Sequence, residues 1–377
     1  MSNDRKIDDI QLLRAVAIVL VIIFHAKWDL FGFQNTIFKQ FYLYFGGDVG
    51  VDLFFVISGF VIARSLLPQL ENASESKNTG MVLVIFWVKR VFRLLPSAWF
   101  WLVATLLFSL FFNQSGAFGN FQAAYEGVIA AVLHVANVRF MDCFAQFECG
   151  PTFVYWSLSL EEQFYLVFPI FAIIARKHLI AVSLLLVLTQ FFESLSVPSV
   201  FRFSGLVIGV LIAIFSKTQT WRLLEPVSLA RHRLFSMGLF GFILLILVTS
   251  LGEGLHIVSG SLKYNLVAIL SGILVLIASY DGDYLMRDGL IKRIMMWFGS
   301  RSYAMYLVHI PAFYLVREIY FISNIIFSTQ MQMIVAHSIL ALVLIIVMSE
   351  LSFRFVETYW VHRGKEVIHR LLSFSKS

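Results

Sequence analysis

The chain reads as an all-α protein, a polytopic bundle of about ten membrane-spanning helices with both termini in the cytoplasm. Three observations predict this. Only 14% of its 377 residues are charged, against about 25% in an ordinary soluble domain, and 59% are hydrophobic. Mean hydropathy is +0.82. The apolar residues also fall in long stretches, near 10–27, 50–69, 94–112, 154–175, 179–194, 202–216, 234–251, 264–280, 302–322 and 331–353. At about 20 residues per crossing, these stretches and their short connections use up the length. The composition excludes a soluble enzyme, a disordered chain and a small disulfide-built module. One membrane-embedded domain is expected over 1–377, with its core at 8–360 and no appended soluble domain.

The net charge of +6 invites a nucleic-acid reading, but the placement of the charges argues against it. With a cytoplasmic N-terminus and ten crossings, 23 of the 29 lysines and arginines lie on the inner side. Among them are Arg5, Lys6, Lys77, the Lys89–Arg93 cluster, Arg231, Arg233 and Lys376. That asymmetry is the positive-inside rule, so the basic excess reports topology and no nucleic-acid partner. The first apolar stretch has Arg5 and Lys6 ahead of it but no small-x-small cleavage site behind it, and is read as a retained helix. The stretch 113–153 is the longest outer connection. Its 125–138 part is apolar enough for a re-entrant or interfacial helix, and counting it as a crossing would place Arg176 and Lys177 outside, against the charge rule.

No Gly-x-Ser-x-Gly elbow, Walker loop or His-Glu-x-x-His helix occurs. Cys143 and Cys149 both lie in the outer connection, where they form either a disulfide or two thiols. The only histidine near them is His134, so no metal site is expected.

Ionisable residues inside apolar helices are expensive, which makes them the functional candidates. Arg14 and His25 stand eleven residues apart in the first stretch. At 100° per residue that is three turns plus about 20°, so both share one face. Glu161, in Trp156–Tyr165, falls at about the same depth below the outer boundary as His25. A histidine and a carboxylate in one layer suit general-base chemistry, with Glu161 orienting His25. Arg90 and Arg93 share a face at the inner end of the third stretch, where guanidinium forks suit phosphate groups; lipid anchoring is the alternative.

Together these segments resemble the acyltransferase-3 family of bacterial integral-membrane acyltransferases. The resemblance rests on Arg14…His25, on Gly47–Phe60 (GDVGVDLFFVISGF), on Lys89–Pro96 (KRVFRLLP), on Trp156–Tyr165 (WSLSLEEQFY) and on Ser302–His309 (SYAMYLVH), in the family's order. Two departures stand out. Gln11-Leu12-Leu13 precedes Arg14 where Asp-Gly is common before the Leu-Arg, and Glu357 is followed by Thr358-Tyr359 and not shortly by proline.

The resemblance implies an acyl-CoA donor, most often acetyl-CoA, a carbohydrate hydroxyl as acceptor on an envelope or exported glycan, and residence in the bacterial cytoplasmic membrane among its lipids. On this reading His25 is the base and Glu161 its partner. Arg14, Arg90 and Arg93 take the donor's phosphates, while Ser58, Tyr165 and His309 contact the donor. His309 falls roughly 10 Å above the inner face, on the donor path and away from the acceptor. Asp52, Tyr303 and Tyr306 are lesser candidates, and Gly205 and Gly209 read as close helix packing. Acylation of a diffusible small molecule such as a macrolide is the alternative within the family. A transporter is the alternative outside it, but the two related halves typical of that class are not evident.

Overall fold

The computed structural model describes residues 7–32, 38–76, 78–144, 146–192, 201–252, 254 and 261–374. Arg5, Lys6, Lys77 and Lys376, and residues 193–194 of the fifth apolar stretch, lie outside them. Among the described residues there is no strand. The helices are α1 (Asp8–His25), α2 (Lys39–Tyr44), α3 (Val49–Ser76), α4 (Thr79–Phe111), α5 (Phe121–Val132), α6 (Ala136–Cys143), α7 (Tyr155–Ala175) and α8 (Leu179–Phe192). They continue with α9 (Ser204–Phe215), α10 (Gln219–Leu223), α11 (Val227–Arg231), α12 (Arg233–Ser250), α13 (Ser261–Ala278), α14 (Leu290–Ile322), α15 (Gln330–Leu351) and α16 (Thr358–Phe374).

Each of the ten apolar stretches carries a helix, but length and apolarity support fewer crossings than ten. Six described runs qualify: Asp8–Leu30, Val49–Ala73, Thr79–Phe111, Tyr155–Gln190, Ser302–Ile322 and Gln330–Ser373. A seventh is added if Ser204–Phe215 and Gln219–Leu229, bent by 86°, form one span. The difference has physical causes. Stretches 154–175 and 179–194 fall in one run of 36 residues, joined by a single tight turn at Arg176–His178. Helix α9 has 12 residues, about 18 Å, which is short of a ~30 Å hydrocarbon core. Leu234–Ser250 and Leu262–Ala278 are apolar but also shorter. Helix α5, with 12 residues, is likewise too short to cross, which suits the re-entrant or interfacial reading of 125–138.

The chain forms two compact units. The first comprises Met1–Phe24, Thr36–Gln69 and Ile170–Ser302. In it α3 and α9 approach backbone to backbone. A Cβ on Gly59 would stand 1.9 Å from the Leu206 carbonyl oxygen, and one on Gly209 would stand 2.2 Å from that of Val56. Small residues permit such contact where lipid supplies no hydrophobic drive between helices. Gly59→Leu is therefore expected to cost about 3 kcal/mol, read as a lower melting temperature in detergent; an unchanged value would contradict the packing. The unit also buries Asp52, 3.4 Å from Arg202, whose guanidinium lies over the Tyr264 ring and is 3.9 Å from Asp48. Asp9, also buried, accepts the Tyr284 N–H.

The second unit comprises His25–Asn35, Leu70–Pro169 and Tyr303–Ser377. Its α4 runs for 33 residues, about 50 Å, and carries Lys89, Arg90 and Arg93 near its middle. Pro96 interrupts the helical ladder, since it brings no N–H. Two tyrosines supply O–H donors around it: Tyr303 to the Leu94 carbonyl at 2.8 Å and Tyr155 to that of Ala98 at 3.2 Å. Trp101 Nε1 donates to Ser352 Oγ, tying α4 to the wide helical turn Ser352–Glu357.

Candidate functional site

The second unit holds most of the candidate residues. Helix α1 ends at His25 and continues as a π-helical turn, Ala26–Leu30, in which the Phe31 N–H bonds back to the Ala26 carbonyl at 3.0 Å. Such a widened turn inside a helix often marks a functional site. It is closed by Gly32, whose φ of +62° suits a residue without a side chain. The turn sets Asp29 against His25, with Oδ2 3.4 Å from Nδ1. The Tyr314 hydroxyl, from α14, donates to Asp29 Oδ1 at 2.7 Å, and Arg317 reaches the Asp29 carbonyl at 3.5 Å. His25, Asp29 and Tyr314 thus form one line of polar groups, with the imidazole at one end.

Two rings flank His25. Phe153 meets it edge-on with centroids 5.3 Å apart, and His309 lies at 5.2 Å. His309 is fully buried, with Nδ1 2.7 Å from the Tyr306 carbonyl oxygen. The Tyr306 hydroxyl bonds to Ser157 Oγ (2.7 Å) and to the Val154 carbonyl (3.0 Å). His309 thus lies beside His25; the sequence had placed it on the donor path, away from the acceptor.

Glu161 accepts a hydrogen bond from the Tyr165 hydroxyl one turn along. The Arg90 guanidinium lies over the Tyr165 ring at 5.4 Å and near the Phe86 ring at 5.6 Å, and Trp87 Nε1 donates to the Tyr165 carbonyl. The unit therefore brings Arg90, Tyr165 and Glu161 together, and sets a different carboxylate, Asp29, beside His25. Arg93 follows three residues after Arg90 on α4. Arg14 and Ser58 belong to the first unit. There the Gln11 carboxamide, oriented to donate to the Gly299 carbonyl, accepts from Arg14 at 3.2 Å.

Asp29 and Tyr314 were missed from the sequence, although a carboxylate four residues after an intramembrane histidine was a legible signal. A second pair was also missed. His134, at the turn between α5 and α6 with φ +57°, pairs through Nδ1 with Glu162, while its carbonyl accepts from Gln163. The hydrogen bond to Glu162 raises the His134 pKa above its ordinary 6.5, against the opposing effect of burial. The sign follows directly. The stabilisation is fully present below pH 6.5 and is lost as pH rises through the elevated folded value. The melting temperature should therefore fall on the alkaline side of 6.5, and His134→Asn, which tolerates positive φ, should remove that component. An identical pH profile in the variant would contradict the pairing.

Cys143 and Cys149 form a disulfide, with Cα atoms 5.2 Å apart. Among the described residues, no group of three histidine, cysteine or acidic side chains is placed to hold a metal ion.

The acyltransferase domain family profile matches residues 7–350. Among curated proteins, the chain is 29% identical over 94% of its length to "Peptidoglycan O-acetyltransferase OatA" of Listeria monocytogenes, covering 56% of that protein. It is 26% identical over 94% of its length to "Putative peptidoglycan O-acetyltransferase YrhL" of Bacillus subtilis, covering 55%. The chain thus spans little more than half the length of these relatives. No solved structure matches it significantly. With the profile covering nearly the whole chain, this protein belongs to the acyltransferase-3 family of membrane acyltransferases.

Proposed function

We propose that the protein moves an acetyl group from cytoplasmic acetyl-CoA to a hydroxyl of an envelope glycan, with His25 as general base. The line His25–Asp29–Tyr314 is the observation that carries this reading. Asp29 holds Nδ1 of the imidazole, so Nε2 removes the proton of the acceptor hydroxyl. The hydroxyl oxygen attacks the thioester carbonyl, the C–S bond breaks, and the departing thiolate takes the proton back from the imidazolium. Asp29 fixes the tautomer and offsets the transient positive charge; the Tyr314 hydroxyl fixes Asp29. His309 and Phe153 hold the imidazole ring between them.

Arg90, Tyr165 and Glu161 form the group assigned to the donor, with Arg93 beside it: guanidinium for phosphate, aromatic ring for the adenine or the pantetheine arm. Arg14 and Ser58 enter the donor site through the family resemblance alone. The distribution of basic residues supports ten crossings of a bacterial cytoplasmic membrane, with both termini inside. The names of the relatives favour peptidoglycan over lipopolysaccharide or exopolysaccharide as acceptor.

The test is the alkali-labile acetate content of each envelope glycan in cells with and without the gene. Loss of ester from peptidoglycan sugars on deletion is the expected result. Loss from another glycan would reassign the acceptor, and no change in any ester would overturn the reading.

A further inference from the structure

The second unit contains a narrow, partly open cavity beside the disulfide, with room for little more than one water-sized group, about 10 Å³. The bond between Cys143 and Cys149 ties the end of α6 to the segment that carries Thr152 and Phe153, and all four residues line the cavity. The same segment lies close against α5, where a Cβ on Gly127 would stand 2.4 Å from Thr152 Oγ1. Phe153 is shared with the site above, since its ring also meets His25. The cavity is therefore one aromatic ring away from the base.

Its polar content is unusual. Thr152 is 2% exposed and its hydroxyl has no partner among the described residues, and the buried Nε of Arg139, which also lines the cavity, has none there either. The remainder of that guanidinium is engaged: Nη1 lies 2.9 Å from the Glu126 carboxylate and Nη2 donates to the Ala123 carbonyl. Two donors thus border one small space, with no acceptor for either among the described residues. A buried donor left unmatched is unfavourable, so the arrangement is completed by an acceptor oxygen from outside. The Glu126 carboxylate already balances the Arg139 charge, which disfavours an anion. A neutral oxygen with two lone pairs, a carbonyl, matches both donors at once.

We propose that this cavity is an acceptor subsite that takes the amide carbonyl oxygen of an N-acylated sugar and so brings a neighbouring hydroxyl towards His25. The inference rests on the proposed acyl transfer and adds to it the class of sugar. The experiment measures acetyl transfer by the full chain in proteoliposomes, with N-acetylated chito-oligosaccharides and with cello-oligosaccharides of equal length. The latter carry a hydroxyl where the former carry the acetamido group. The wild type should favour the N-acetylated acceptor at least tenfold in kcat/KM, mainly through KM. Thr152→Val, which keeps the shape and removes the hydroxyl, should reduce that preference several-fold, with a melting temperature unchanged or raised because an unmatched polar group is gone. Arg139→Lys should reduce it likewise. A preference that survives in Thr152→Val, or equal use of both acceptors by the wild type, would overturn the subsite while leaving acyl transfer standing. A Thr152→Val protein that melts lower and loses both acceptors alike would assign Thr152 to structure. Transfer to neither acceptor, by a wild type that esterifies no envelope glycan either, would remove the proposed function and the subsite with it.

Discussion

Replacing His25 with alanine is expected to lower acetyl transfer by about 10²–10⁴-fold, the range that positioned general-base catalysis supplies. The protein should still fold and insert, because the imidazole stands at the C-terminal end of α1, where its loss removes two ring contacts and leaves the helix itself intact. Size-exclusion behaviour and melting temperature in detergent check the fold, and labelled ester formation checks the activity. An insoluble His25→Ala protein would mean that the histidine serves packing. A soluble variant with wild-type transfer would remove it from the chemistry.

The second large effect belongs to Asp29. Asp29→Asn keeps the side-chain size but removes the charge and can present N–H where the imidazole needs an acceptor. In Ser-His-Asp enzymes the same change traps the wrong tautomer and lowers kcat by about 10⁴. Here, with Asp29 held by Tyr314 and partly exposed, a loss of roughly 10²–10³ in kcat is expected. A positioning role makes two further demands. The KM for acetyl-CoA should stay within about twofold, and Asp29→Glu should recover part of kcat, whereas a merely structural aspartate would show neither pattern. Equal activity in Asp29→Asn and wild type would transfer the orienting role back to Glu161.

The sequence made some of this legible and hid the rest for identifiable reasons. Charge scarcity and the apolar stretches located the helices, because a bilayer permits few other structures. Those signals do not mark where a helix stops. Helices α4 and α14 each run 33 residues, and both begin well before the apolar stretch they contain. His25 was legible as an ionisable group in an apolar helix, and the glycines Gly205 and Gly209 as points of close approach, which the Gly209–Val56 contact shows.

Asp29 was hidden because the search for a partner assumed that it lay on another helix at equal depth. The π turn after His25 makes the nearest carboxylate a local one. The Arg90–Tyr165–Glu161 group joins residues 75 positions apart, from Arg90 to Tyr165. Each was noticed singly, but only the packing of α4 on α7 reveals that they act on one another. The disulfide was left open in the sequence, since two cysteines six residues apart fit either state.

The most direct test of the central claim is a single-turnover transfer assay with purified protein in proteoliposomes. Acetyl-labelled acetyl-CoA and peptidoglycan fragments are the substrates, and wild type is compared with His25→Ala. The account predicts alkali-labile label on the glycan with wild type and at least a hundredfold slower transfer with the variant. Equal rates from the two proteins, or label that never leaves acetyl-CoA although wild type binds both substrates, would contradict it.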